Sequence, residues 1–194
     1  GILYMILKAL EFIPLQEIPM QYHRVIKNSC NHLLSLQNEE GNFPMMEGYN
    51  VDDLVHWCHG APGIIPFLLQ CYEFYQEDRF LIAAEKAGDL VITKGVVKKG
   101  NNLCHGIAGN VYSLFNLYRV TGDEKWKIGG YCMANCTYIK EVQIKCAKHR
   151  DPTRKVIGTP DTIYSLMEGR MGLVVMYMDL LTDERMMRFP GYEI

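Results

Sequence analysis

Apolar positions recur along most of this chain at helical spacing. Leu3, Ile6, Leu7, Leu10 and Phe12 form one stripe, closed by Pro14 and Pro19. A second predicted helix covers 20–37, with His23, Ile26, Cys30, Leu33, Leu34 and Leu36 on its inner face, and the run 38–44 stops it. Residues 41–56 read as a loop of turn formers, with Asp52 and Asp53 solvated or capping near its end. After it, Ile64, Ile65, Phe67, Leu68, Cys71, Tyr72 and Tyr75 run nearly all the way round a helix, the pattern of burial on most sides. Asp78 to Thr93 is amphipathic, with one wet face. The same succession then returns. Val111, Tyr112, Leu114, Phe115, Leu117 and Tyr118 fill a mostly apolar helix, and Glu124 to about Ile144 is amphipathic. A polar loop over roughly 147–160 leads to a last apolar segment with Leu173, Val174, Val175, Tyr177, Met178 and Leu181.

Each apolar helix opens on Gly-x-x-Gly, at Gly60/Gly63, Gly106/Gly109 and Gly169/Gly172. Gly1 before Ile2 resembles the second glycine of a fourth opening, as if the chain began inside an element of a longer protein. Strand signals are nearly absent, since Gly95-Val96-Val97 is too short to count. A unit of about 45–65 residues built from helix pairs predicts an all-α array of stacked hairpins, either an open solenoid or a closed ring. In a ring, the apolar helices form the inner layer and the amphipathic ones the outer layer. The glycine turns then meet on one rim, where the absence of a Cβ permits close approach.

Composition narrows the picture. The chain has 194 residues, 48% hydrophobic, with a net charge of −2, enough for one sizeable core and without the one-signed field of a nucleic-acid binder. No apolar run approaches the roughly 18–20 residues that span a bilayer, and the N-terminal stretch lacks the basic region and cleavage site of a signal peptide. Seven cysteines, an odd number, mostly sit inside apolar helical patterns. That distribution predicts reduced thiols in an intracellular setting.

Two of those cysteines stand in matched turns, Trp57-Cys58-His59-Gly60-Ala61-Pro62-Gly63 and Leu103-Cys104-His105-Gly106-Ile107-Ala108-Gly109, 46 residues apart. Thiolate and imidazole nitrogen are the preferred ligands of zinc, which takes four ligands in a structural site and three plus an open position in a catalytic one. Spacing does not choose between His59 and His105. With both, the site is a closed Cys2His2; with one, it is an open Cys2His site able to take a thiol or water.

Several stretches together resemble the C-terminal half of eukaryotic LanC-like (lanthionine synthetase C-like) proteins. They are Trp57–Gly63, Lys98-Lys99-Gly100 with Leu103–Gly109, Thr159-Pro160-Asp161-Thr162, Tyr164–Gly172 and the ending Arg188-Phe189-Pro190 with Glu193. The resemblance runs essentially from end to end. It implies an α/α toroid of seven helix hairpins, of which residues 1–194 form about the last half as a single partial domain. It further implies one zinc ion held by Cys58, Cys104 and His105, with His59 and Trp57 beside the site and Lys99 contacting glutathione. The implied activity is addition of the glutathione thiol to dehydroalanine or dehydrobutyrine in proteins, in the cytoplasm or peripherally at the plasma membrane. A zinc- and glutathione-binding signalling adaptor without turnover is the alternative.

Two departures bear on that activity. Where well-known members carry an arginine before Thr-Pro-Asp, this chain has Gly158, with Arg154 and Lys155 nearby. The histidine that transfers protons in the cyclases belongs to an earlier motif not found in residues 1–194, so these residues alone are expected to lack turnover. The remaining features have plainer readings. Cys132 and Cys136, with Cys146 and His149, match no common zinc-finger spacing and are expected as core or surface cysteines. Met171, Met176 and Met178, like the tyrosines, are expected in the core. Glu168 is expected at the rim or a helix N-terminus, and Asp161 in a turn. No pair of carboxylates beside the rim motifs suggests glycoside chemistry.

Overall fold

Helical periodicity becomes eight α-helices in the computed structural model, which describes residues 1–48, 54–148, 164–183, 185 and 187–193. They are α1 Ile2–Leu10, α2 Met20–Ser35, α3 Ala61–Tyr75, α4 Asp78–Lys94, α5 Ile107–Thr121, α6 Glu124–Cys136, α7 Lys140–Lys148 and α8 Met171–Leu180, with a short 3-10 turn at Leu15–Glu17. No strand occurs among the described residues. None of these helices is long and apolar enough to cross a membrane.

The two kinds of helix take the two predicted layers. α1, α3, α5 and α8 lie side by side as an inner layer, each touching the next, while α4 and α6 form the outer layer behind α3 and α5. α2 joins the outer layer beside α4. The Gln37 side chain donates to the Ala83 carbonyl at 2.9 Å, and Arg79 donates to Asn31 at 2.7 Å. The chain thus forms an arc of an α/α toroid. Burial follows the layers: every residue of α5 from Ile107 to Tyr118 is buried, whereas α4 buries only Phe80, Ala83, Ala84, Ala87, Gly88, Leu90 and Val91.

Close packing between the layers rests on small residues of the outer helices. Gly88 of α4 faces the Leu117 side chain and the Trp126 indole, and Gly130 of α6 faces the Phe115 ring. A Cβ at Gly88 would come within 2.4 Å of Leu117 Cδ1. Trp126 is fully buried there and anchors the second hairpin.

Two expectations are corrected. The amphipathic run from Glu124 is not one helix to about Ile144. It stops at Cys136, because the Ala134 carbonyl accepts from the Thr137 amide (3.0 Å), the Thr137 hydroxyl (2.8 Å) and the Tyr177 hydroxyl (2.8 Å). Tyr138 and Ile139 then bond three residues back, to Asn135 and Cys136, which tightens the chain into a turn before α7. The methionines of α8 are not uniformly core either. Met176 is buried, but Met171 and Met178 are exposed because they lie on the side of α8 that no described helix covers. The tyrosines divide likewise: Tyr4, Tyr112 and Tyr118 are buried, and Tyr22, Tyr138 and Tyr164 are exposed. Asp52, Asp53, Arg154, Lys155, Gly158 and the Thr159–Thr162 motif lie outside the described residues.

Gly88→Ala is expected to destabilise the fold by about 1–3 kcal/mol through overpacking against Leu117 and Trp126. Urea unfolding followed by Trp fluorescence measures it, and an unchanged midpoint would refute the interlayer contact.

Candidate metal centre

The first Cys-His-Gly turn is closed by a reciprocal backbone pair. The His56 amide donates to the His59 carbonyl at 3.0 Å, and the His59 amide returns to the His56 carbonyl at 3.2 Å. Trp57 and Cys58 therefore occupy the tip. Gly60 has φ +112°, and an added Cβ would lie 2.0 Å from the Leu54 carbonyl oxygen, so this position requires glycine. The buried Asn42 clamps the turn: its Oδ1 accepts from the Ala61 amide at 2.8 Å while its Nδ2 donates to the Leu54 carbonyl at 3.1 Å.

The second turn is held by a different asparagine. Asn102 Oδ1 accepts from the His105 amide at 2.9 Å, and the Gly100 carbonyl accepts from Ile107 at 3.0 Å. Asn110 of α5, fully buried, donates to the carbonyls of Val55 and Gly95 at 2.9 Å each, tying both hairpins to the same rim. Sequence reading missed all three asparagines. Each is an ordinary turn or helix residue locally, and its partner lies between 3 and 55 positions away.

The turns then stack on one another. The Cys58 amide donates to the Cys104 carbonyl at 3.0 Å, and the Cys104 amide donates to the Met167 carbonyl at 2.8 Å. A glycine repeats the same tight contact in each hairpin. A Cβ on Gly63 would lie 1.9 Å from the Trp57 carbonyl oxygen, on Gly109 1.9 Å from that of Leu103, and on Gly172 2.5 Å from that of Leu166. Met167 and Glu168 hold the places that cysteine and histidine hold in the other two turns, so the third turn supports the ladder without supplying a thiolate or an imidazole.

This stacking brings the Cys58 and Cys104 sulfurs and a His105 ring nitrogen within 4.8 Å of one another. It is the single such group of three or more metal-ligating side chains among the described residues. Zn–S bonds of about 2.3 Å and Zn–N bonds of about 2.0–2.1 Å put tetrahedral ligands roughly 3.5–3.8 Å apart, so these three fit zinc after a small contraction. His59 is exposed and outside the group. Cys132 is exposed and Cys136 half-buried, in no such group; Cys146's side chain and His149 lie outside the described residues.

Electrostatics divide the two thiols. Cys58 is lowered to about 7, chiefly by a hydrogen bond from the Cys104 thiol that outweighs burial, with further help from Lys99 and opposition from Glu168. Cys104 is correspondingly raised because its proton serves Cys58, an effect larger than the counteracting His105 contact. Above about pH 7 the pair therefore holds a single proton, on Cys104 and donated to the Cys58 sulfur. Buried His56 meets the His105 ring edge-on at 6.2 Å between centroids, and its value falls to about 4, chiefly through burial and further through the positive charge of Lys99. Exposed Lys99 thus projects its field onto the cluster. Trp57, half-buried, stacks on Phe189 at 3.8 Å.

An arc of a helical toroid with Cys58, Cys104 and His105 gathered on one rim defines the class. All 194 residues match the lanthionine synthetase C-like protein family, and the chain belongs to it. It is 35% identical over 170 residues to a zebrafish (Danio rerio) protein named glutathione S-transferase LANCL1, a match covering 88% of this chain and 39% of the relative. It is 32% identical over 196 residues to the Arabidopsis thaliana LanC-like protein GCL1, covering 100% of this chain and 41% of the relative. The chain thus spans about two fifths of the length of these curated relatives.

In the metal-free protein, Cys58 is expected to alkylate with a midpoint near pH 7 and Cys104 only in more alkaline solution. The lowered value means that the thiolate is favoured by the fold, so Cys58 reactivity rises between pH 6 and 8 in this experiment, roughly tenfold per unit below the midpoint. Peptide mapping of iodoacetamide adducts across pH checks the order, and equal midpoints would remove the asymmetry.

Proposed function

We propose that Cys58, Cys104 and His105 hold one zinc ion, and that the protein adds the thiol of glutathione to dehydroamino acid residues of proteins or peptides. The observation that carries this reading is the convergence of two thiols and one imidazole within 4.8 Å on a rim built by the fold. Three protein ligands are one fewer than zinc usually takes, which leaves a place for an incoming thiol. Bound zinc would supply acidification of that thiol at neutral pH. The name of the zebrafish relative, a glutathione S-transferase, supports glutathione as the donor.

The chain's own residues prepare the rest. Asn102 fixes the backbone of His105, and the Cys58–Cys104 backbone bond fixes the separation of the two sulfurs. Lys99, whose positive field reaches both Cys58 and His56, is suited to a glutathione carboxylate or to the enolate that develops during addition. In that addition the sulfur bonds to the β-carbon of the alkene and the α-carbon gains a proton, with no leaving group. The free thiols of the described cysteines support a cytoplasmic protein, compatible with peripheral attachment to the plasma membrane.

Two measurements on the full-length protein test this. One zinc per chain is expected by elemental analysis, and Cys58→Ala, Cys104→Ala and His105→Ala are each expected to lose it. Mass spectrometry should then detect a glutathione adduct on a dehydroalanine peptide with wild type alone. Lys99→Ala is expected to weaken glutathione binding by roughly tenfold, the loss of one charge-assisted contact. Zinc without adducts would favour a non-catalytic adaptor, and absence of zinc would exclude both readings.

A further inference from the structure

The C-terminal segment Met187–Glu193 touches neither the candidate ligands nor Lys99 in any contact described above, yet it ends against the residue that precedes Cys58. Phe189, buried to 1% exposure, lies flat on the Trp57 indole, with centroids 3.8 Å apart and planes 5° from parallel. Tyr192 meets the same indole edge-on at 5.0 Å and stacks on Tyr4 of α1 at 5.2 Å. Trp57 is therefore enclosed by the tail on its ring side. On its backbone side it is held by the two glycines, its carbonyl seated against Gly63 and its Cβ facing Gly109.

The tail has its own anchor. The Glu193 side chain is only 2% exposed, and its carboxylate accepts from Asn116 Nδ2 at 2.9 Å, from the Phe189 amide at 2.8 Å and from Arg119 at 3.0 Å. Arg119 donates a second bond to the Met187 carbonyl at 3.0 Å. A buried carboxylate is costly unless its lone pairs are met, and here three donors meet them. Two of those donors belong to α5, the helix that the second metal turn opens, and the third is the amide of the residue stacked on Trp57. One ionic knot therefore fixes Phe189 relative to α5 and, through the indole, fixes the first turn relative to the second.

We infer that Glu193 and Phe189 are positioning residues for the metal centre, the tail acting as a strap that sets where Cys58 stands relative to Cys104 and His105. The inference rests on the zinc reading for its first test, and a metal-free test separates the two. In the full-length protein, Phe189→Ala and Glu193→Gln are expected to weaken zinc binding about tenfold in chelator competition while keeping one zinc per chain. Phe189→Trp, which can restore the stack, should return affinity to within about twofold of wild type. Phe80→Leu in α4, matched for loss of thermal stability, should leave zinc affinity unchanged and so exclude general softening as the cause.

In the metal-free protein, the same two tail variants are expected to raise the alkylation rate of Cys58 several-fold and to leave that of Cys132 unchanged. Zinc affinity and Cys58 alkylation both within twofold of wild type would overturn the strap. So would a loss of affinity in Phe80→Leu equal to that in the tail variants. Wild-type protein that binds no zinc would overturn the zinc reading, and the alkylation rates would still decide whether the tail holds Cys58.

Discussion

The hydrogen bond from the Cys58 amide to the Cys104 carbonyl is the constraint on which the rim depends. It joins two hairpins at the points where they carry their reactive side chains. Its continuation from Cys104 to Met167 extends the join to a third hairpin. Backbone bonds of this kind require the turns to approach within ordinary hydrogen-bond distance, and the glycines make that approach possible. A side chain at Gly63 or Gly109 would have to share space with a carbonyl oxygen. The glycine repeat and the Cys58–Cys104–His105 group are thus one device: the first sets the separation at which the second can form.

Within that device the side chains are unequal. The Cys104 thiol favours the Cys58 thiolate by donating to it, and Lys99 and Glu168 pull the Cys58 equilibrium in opposite directions. His105 belongs to the cluster while His59, at the same place in the other turn, is exposed. The turns differ because different asparagines hold them. Asn102 binds the amide of His105 itself, whereas Asn42 clamps the far end of the first turn at Leu54 and Ala61. Similar sequences are thereby given different surroundings, and only one histidine is brought to the sulfurs.

Much of the architecture was legible in the order of residues. The apolar segments that run all round, such as Ile107–Tyr118, became the inner layer, and the one-sided segments, such as Asp78–Lys94, became the outer layer. These features are read correctly because burial on one side or all sides leaves a periodic mark on a helix. Local pattern failed where a distant group intervened. Glu124 to Ile144 has an unbroken amphipathic pattern, but a hydroxyl of α8 captures the Ala134 carbonyl and the helix ends. Met171 and Met178 look like core by type, and their exposure depends on which helices stand beside α8.

The sequence by itself determined the helical class, the two-layer arrangement and the two turns that carry thiol and imidazole. These follow from side-chain periodicity and from glycine at fixed offsets, which act over a few residues. Only the tertiary structure decided that Cys58, Cys104 and His105 meet, that Asn42, Asn102 and Asn110 hold them, and that Phe189 and Glu193 reach Trp57 and α5. Each of those relations joins a turn or a tail to a partner set by how the hairpins stack. A hydrogen bond or a ring stack is decided by distances of a few tenths of an ångström, which no spacing along the chain encodes.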